Sequence, residues 1–234
     1  MTVKLITFDL DDTLWDNIVV IKEAVKQCYG WLLENYPKLA DHYDIDGLNA
    51  LNHLFHKEWP EFKHQLSRAR IIGMEVALEQ AGYSRYEIVT GAEEAFEIFS
   101  QWRRRVVYYP GVIETLKYLD EHYTLAALTN GNITMEALRI DRFFDFVLKG
   151  EDLNSSKPDP LMYQMAMKMA GATSEEMLHV GDNPENDILA AKKLGILTVW
   201  FNPQNETWEH DLSPDYIITS IPELKDIMTQ LCVS

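Results

Sequence analysis

Phe8-Asp9-Leu10-Asp11-Asp12-Thr13-Leu14 follows the apolar run Val3-Lys4-Leu5-Ile6-Thr7-Phe8 and ends it on two carboxylates. Along a β-strand, residues i and i+2 point to one side, so Asp9 and Asp11 converge on one small volume where the strand stops. Two acids held that close repel unless a cation or a shared proton lies between them. The spacing points to a divalent metal and to a division of labour, in which one acid attacks as a nucleophile and the other moves protons. The competing reading is structural: Asp-Asp-Thr after a strand also serves as a helix N-cap or an Asx turn, where short polar side chains satisfy backbone N–H groups. Three stretches further along the chain decide between the two.

After Thr13 the pattern is helical for about ninety residues. Ile18, Ile21, Val25, Cys28 and Leu32 mark one amphipathic helix, interrupted by Pro37 and the acidic stretch Asp41–Asp46. Leu48, Leu51, Leu54 and Phe55 predict a second, stopped near Pro60; Ile71, Met74, Ala77 and Leu78 a third, ending at Gly82; Ala92, Ala95, Phe96, Phe99 and Trp102 a fourth. Four consecutive helices form a small bundle, not a crossover between parallel strands. From Pro110 the period changes. Strands are expected at Tyr123–Leu128, Phe146–Leu148, Leu178–Val180 and Leu197–Phe201, separated by helices around Leu116–Leu119, Met162–Met169 and Ile188–Leu194. This alternation predicts an α/β fold, a Rossmann-like doubly wound parallel sheet with a helical bundle inserted after its first strand. The expected boundaries are 1–14 plus 106–234 for the sheet domain and 15–105 for the insert.

Composition is that of an ordinary globular chain: 234 residues, 47% hydrophobic and 25% charged. Cys28 and Cys232 make neither a CxxC nor a zinc spacing, which fits a reducing compartment. No apolar run is long enough to span a membrane and no signal-peptide pattern opens the chain, so a cytoplasmic location is expected. The formal net charge of −16 disfavours nucleic acid and anionic membranes as partners. Residues 15–105 carry 11 basic and 14 acidic side chains, leaving 10 basic and 23 acidic elsewhere. The acidic excess belongs to the segments that hold the carboxylate motifs, and an anionic substrate there needs a cation as intermediary.

Each remaining signal follows an expected strand. Thr129-Asn130-Gly131 offers a hydroxyl, an amide and glycine-freed backbone N–H groups to the oxygens of a phosphate; alone it is also a common turn. Ser155-Ser156-Lys157-Pro158-Asp159-Pro160 offers Lys157 as a point charge for a phosphoryl oxygen or for Asp9. Gly181-Asp182-Asn183-Pro184-Glu185-Asn186-Asp187 places one acid at a strand tip and another five residues on. Magnesium prefers oxygen ligands and few carboxylates. The expected metal set is Asp9, Asp11 and Asp182, with a backbone carbonyl near Asp11 supplying its oxygen. Asp187 is read as capping a helix or as holding Lys157 and a metal-bound water, and Thr13 as stabilising its loop. His179 is read as a core or supporting histidine.

Asp9-x-Asp11-x-Thr13, Thr129-Asn130, Lys157 and Gly181-Asp182-x4-Asp187 resemble, in order and placement, the four motifs of the haloacid dehalogenase superfamily. The helical insert resembles that family's cap placed between the first and second motifs. Dehalogenases of the family lack an acid at the position of Asp11, and its P-type ATPases carry threonine there, whereas its phosphatases and phosphomutases use aspartate. The resemblance thus implies a Mg²⁺-dependent phosphatase acting on a small-molecule phosphate ester, as a monomer or homodimer. Asp9 would form an aspartyl-phosphate, Asp11 would protonate the leaving alcohol and then deprotonate water, and Thr129, Asn130 and Lys157 would hold the phosphoryl group.

The stretches around Asp9, Thr129 and Asp182, with Trp102-Arg103 and the Trp200 strand, look similar to those of bacterial phosphatases acting on flavin mononucleotide and on the ribitylaminouracil phosphate of riboflavin synthesis. A 5′-nucleotidase or sugar phosphatase of the same cap type is the alternative. In the insert, His56, Trp59 and Arg70 have chemistry suited to a leaving group, as does Trp15 at the hinge; against this, aromatic residues commonly fill a bundle core. A receiver-like phospho-acceptor switch shares the residue types but not the motif order.

Overall fold

The computed structural model describes residues 2–135 and 138–233, the side chains of Asn52, His56 and Val233 aside. In chain order the elements are β1 (Leu5–Phe8), α1 (Asn17–Asn35), α2 (Ile45–Glu58), α3 (Leu66–Gln80), α4 (Arg85–Arg103), α5 (Val112–Asp120), β2 (Thr124–Thr129), β3 (Phe146–Lys149), α6 (Gly150–Leu153), α7 (Leu161–Ala170), β4 (Met177–Gly181), α8 (Ala190–Lys192), β5 (Leu197–Phe201), β6 (Tyr216–Ile218) and α9 (Leu224–Val233). They form two compact units, Met1–Asp16 with Val107–Gly131 and Met135–Ser234, and Asn17–Val106 with Asn132–Thr134.

The first unit is built on a six-stranded sheet in the order β3-β2-β1-β4-β5-β6, every neighbouring pair parallel. β1 and β4 are buried at every position, as strands covered on both faces must be. Chain order reverses at β1, which pairs with β2 on one side and β4 on the other. Such a reversal opens a crevice at the carboxyl ends of the strands. The register sets Phe8 beside Ala127 and Val180, so Asp9, Thr129 and Asp182 leave the sheet side by side.

The second unit is the helical insert. α2 starts where Asp44 accepts the Gly47 N–H, and α4 where Ser84 and Glu87 form a reciprocal capping box. Its core includes Ala24, Cys28 and Leu32 of α1, Met74, Ala77 and Leu78 of α3, and Ala92, Ala95 and Phe99 of α4. Ile18, placed on the apolar stripe by its spacing, is instead exposed.

Two boundaries differ from the sequence reading. Trp15 belongs with the sheet, because it bridges Asp11 and Tyr108, so the insert runs Asn17–Val106. Asn132–Thr134, three residues beyond Thr129, groups with the helices, and Asn132 Nδ2 donates to Ser67 Oγ at 3.2 Å. The helix expected at Ile188–Leu194 begins earlier as a π-helical turn, Pro184–Leu189, before α8. Asn183 starts it by accepting the Glu185 and Asn186 N–H groups. β6 and α9 went unanticipated; three residues, Tyr216-Ile217-Ile218, are too few to show a period.

Candidate active site

Asp9 is the first residue past β1, and its backbone N–H donates to Val180 O of β4 at 2.9 Å, which fixes it between the two strands. Lys157 arrives from the loop between α6 and α7. Its ammonium is fully buried and donates to Asp9 Oδ1 at 2.7 Å and to Asp187 Oδ1 at 2.6 Å. Burial alone would lower the Lys157 pKa; the charges of Asp187 and Asp9 outweigh it and raise the pKa above the ordinary lysine value. For Asp187 burial again opposes ionisation, but Lys157 and the His179 hydrogen bond prevail and hold its carboxyl at about 2. Asp9 goes the other way. Burial, with the Asp187 and Asp182 charges added, holds it well above the usual carboxylate range despite Lys157.

Asp187 is positioned by the wide turn at Pro184–Leu189, where its Oδ2 accepts the Asn183 N–H at 3.0 Å. A side chain at Gly181 would collide with the Asp187 carboxylate, so that approach requires glycine at the end of β4. Lys157 and Asn183 donate to it, and His179 Nε2 lies 3.2 Å from the Asp187 oxygen that accepts from the lysine.

Asp182, one residue past β4, accepts from Thr13 Oγ1 at 2.8 Å, and its carbonyl accepts from the Trp200 indole at 2.8 Å. Burial first, then the Asp187 charge, pushes its carboxyl up to about 7. One oxygen each of Asp9, Asp182 and Asp187 lies within 4.8 Å of the others, an all-oxygen cluster of metal-site dimensions. The Asp11 carboxylate is not in that cluster, since the strand has ended and Asp12 turns the chain through a left-handed conformation at φ 61°.

Asp11 faces the second motif instead. Its Oδ1 accepts from Trp15 Nε1 at 3.1 Å, and a Cβ on Gly131 would run into its Oδ2. Thr129, buried at the end of β2, accepts the Gly131 N–H at 2.9 Å on Oγ1. A hydroxyl that accepts in this way keeps its own proton to donate. The Asn130 side chain does not serve as read from sequence. Its Nδ2 donates to Lys157 O and its Oδ1 accepts the Lys157 N–H, both at 2.8 Å. It fixes the lysine's backbone.

The residues singled out for a leaving group fare differently. Trp15 is completely buried, and its indole orients Asp11. Arg70, on α3, lies over the Phe99 ring at 4.0 Å, and burial holds its pKa down to about 10. Trp59 is partly exposed, 4.7 Å from the Phe55 ring. The His56 side chain lies outside the described residues. Sequence reasoning passed over Thr7, Tyr163 and Trp200 as parts of the site. Thr7 carried the one available signal: it stands two residues before Asp9 on a strand, hence on the same side.

Residues 3–195 match the model of the haloacid dehalogenase-like hydrolase family. The chain is 32% identical over 230 residues to the 5-amino-6-(5-phospho-D-ribitylamino)uracil phosphatase YigB of Escherichia coli K12, covering 97% of this chain and 96% of that protein. It is 29% identical over 238 residues to the glyceraldehyde 3-phosphate phosphatase of Pyrococcus furiosus, covering 97% and 93%. A solved structure named as a 2-haloacid dehalogenase, from Pseudomonas syringae pv. Tomato DC3000, shares 37% identity and a TM-score of 0.93 over 98% of this chain and 100% of that one.

Proposed function

This chain belongs to the haloacid dehalogenase-like hydrolase family and is one of its phosphatases; from that premise we propose a magnesium-dependent phosphomonoesterase that works through an aspartyl-phosphate and acts on flavin mononucleotide or the ribitylaminouracil phosphate. The observation that carries the chemistry is Asp11. A halide leaves as a stable anion, whereas an alkoxide needs a proton, and Asp11 is a carboxyl oriented by Trp15 beside the phosphate-binding loop. That favours ester hydrolysis over dehalogenation, despite the likeness to a structure named for the latter.

An Asp9 carboxylate oxygen attacks phosphorus while the bond from phosphorus to the ester oxygen breaks, and that oxygen takes the Asp11 proton and leaves as an alcohol. Asp11, now ionised, takes a proton from water as the water oxygen attacks the aspartyl-phosphate. Inorganic phosphate leaves and both acids return to their starting state. The Thr129 hydroxyl and the Lys157 ammonium hold phosphoryl oxygens, and Asn130 keeps Lys157 in place. Asp9 and Asp182 fit a hard divalent cation: they are oxygen donors within reach of one another, and in this pocket both carboxyls resist ionisation. Bound there, Mg²⁺ supplies positive charge to the phosphoryl oxygens.

The substrate reading rests on the whole-chain likeness to the ribitylaminouracil phosphatase. The Pyrococcus relative, named for a triose phosphate, supports a sugar phosphate as the second reading. Turnover of a panel of phosphate esters with Mg²⁺ or EDTA separates them. Preference for the flavin or ribitylaminouracil ester is expected, and equal, feeble turnover of all esters would overturn it. Asp9→Asn should abolish turnover while leaving the circular dichroism spectrum intact.

A further inference from the structure

Behind Lys157 runs a buried chain of hydrogen bonds that the phosphatase mechanism does not use. Thr7 and His179 are register partners on β1 and β4. Thr7 Oγ1 lies 2.8 Å from His179 Nδ1, and His179 Nε2 lies 3.2 Å from Asp187 Oδ1, which also holds Lys157. Lys157 returns the chain to Asp9, two residues beyond Thr7 and just past the end of β1. Both Thr7 and His179 are fully buried, and the Tyr163 ring closes on the imidazole edge-on at 5.1 Å.

We infer that Thr7 and His179 are positioning residues for the nucleophile, acting through Asp187 and Lys157. The direction of each bond follows from its partners. Asp187 is a carboxylate and accepts, so His179 Nε2 carries the hydrogen. Nδ1 is then the acceptor, and Thr7 donates to it in preference to Leu178 O, which stands at 3.4 Å. Which imidazole nitrogen is protonated is set by the bond the other nitrogen makes. Thr7 therefore locks the tautomer that steadies Asp187, and Asp187 in turn aims the ammonium at Asp9. A flipped tautomer would set two lone pairs facing each other and push Asp187 away from its place beside Lys157.

The inference rests on the phosphatase reading for its kinetic consequence, and its test separates the two. Thr7→Val removes the donor at nearly constant volume; Thr7→Ser restores it. Thr7→Val should lower kcat roughly tenfold, the lower range of losses seen for outer partners of a site, with KM changed less than about twofold, and Thr7→Ser should recover it. Imidazole ¹⁵N chemical shifts, recorded without metal or substrate, should show a pure Nε2–H tautomer for His179 in the wild type and a mixture in Thr7→Val. Wild-type kcat in Thr7→Val, a loss carried by KM, or an Nδ1–H tautomer in the wild type would each overturn the inference. Should Thr7→Val fail to fold, His179→Gln, whose amide donates toward Asp187, must retain more kcat than His179→Leu; equal losses overturn it. A wild type that hydrolyses no ester defeats the phosphatase reading alone, and the tautomer measurement still decides this one.

Discussion

Replacing Lys157 with methionine removes the ammonium that touches both Asp9 and Asp187, while keeping most of the side chain's volume. The Asp187 carboxyl moves from its ordinary 3.8 to about 2 in the fold, which at 1.36 kcal/mol per pKa unit is worth roughly 2–3 kcal/mol. Both partners are buried, so solvent screening does not reduce this. Removing one member of a buried pair costs about 3–5 kcal/mol when the other stays charged, but Asp9 already resists ionisation and takes up a proton instead. The expected loss is therefore about 3 kcal/mol near neutral pH. Its sign with pH follows from the depressed Asp187 value. That stabilisation is complete above the unfolded value near 4 and is lost as pH falls through about 2, so roughly half has gone by about pH 3. Urea unfolding in EDTA, followed by circular dichroism, should show the gap between wild type and Lys157→Met narrowing from about pH 7 to about pH 3. Equal stability at neutral pH, or a gap that ignores pH, would refute the reasoning.

Asp182 predicts the opposite trend, because its carboxyl is pushed up to about 7. Folded metal-free protein holds a proton there that the unfolded chain releases, so stability in EDTA should rise as pH falls from about 7 to about 4, and Asp182→Asn should flatten that slope in thermal melts. Asp11→Asn should cost about 10²–10⁴-fold in kcat on alkyl phosphates. With p-nitrophenyl phosphate, whose leaving group needs little protonation, the variant should accumulate phosphoenzyme visible by intact mass; equal loss on every ester without accumulation would remove the proton-transfer role. Gly131→Ala places a methyl against Asp11 Oδ2 and should cost about 1–3 kcal/mol of stability with a larger loss in kcat. Wild-type kinetics in that variant would show that the loop need not approach Asp11.

The parallel sheet and the placement of the motifs at its strand ends were legible because buried strands write continuous apolar runs, as Leu125–Leu128 does. The spacing of two brought Asp9 and Asp11 to notice, but did not show that the Asp11 carboxylate turns away from the cluster of Asp9, Asp182 and Asp187. What the side chains do to one another was not legible. Asn130 reads as a phosphate ligand in sequence, yet both ends of its amide bind the Lys157 backbone, a pairing between residues 27 apart that no local pattern records. Trp15 sits at the junction in sequence and is buried in the sheet unit, because its pairing with Tyr108 crosses the whole insert. The wide turn at Pro184–Leu189 escaped because Asn183 and Pro184 begin it ahead of the apolar residues that set the helical period.

The acidic bias of the sheet unit has a consequence for binding as well as for chemistry. Once Asp9 and Asp182 give up the protons that burial holds on them, the two with Asp187 and Lys157 stand at −2, and Lys157 is already engaged by two of those carboxylates. Each pair of like unit charges about 5 Å apart contributes roughly 3 kcal/mol of repulsion at an effective dielectric of 20. A phosphate dianion approaching this cluster meets several such pairs, and a hydrogen bond from the Thr129 hydroxyl offsets only about 1.5–3 kcal/mol. A divalent cation between Asp9 and Asp182 cancels the excess before the phosphate arrives. Removing it should therefore weaken binding of inorganic phosphate itself, apart from any effect on turnover. Calorimetric titration of phosphate should lose at least about a hundredfold in affinity between Mg²⁺ and EDTA, the equivalent of about 2.7 kcal/mol. Unchanged affinity in EDTA would mean that Lys157 and the Thr129 loop attract the anion unaided, and that the acidic cluster is neutralised by protons instead of metal.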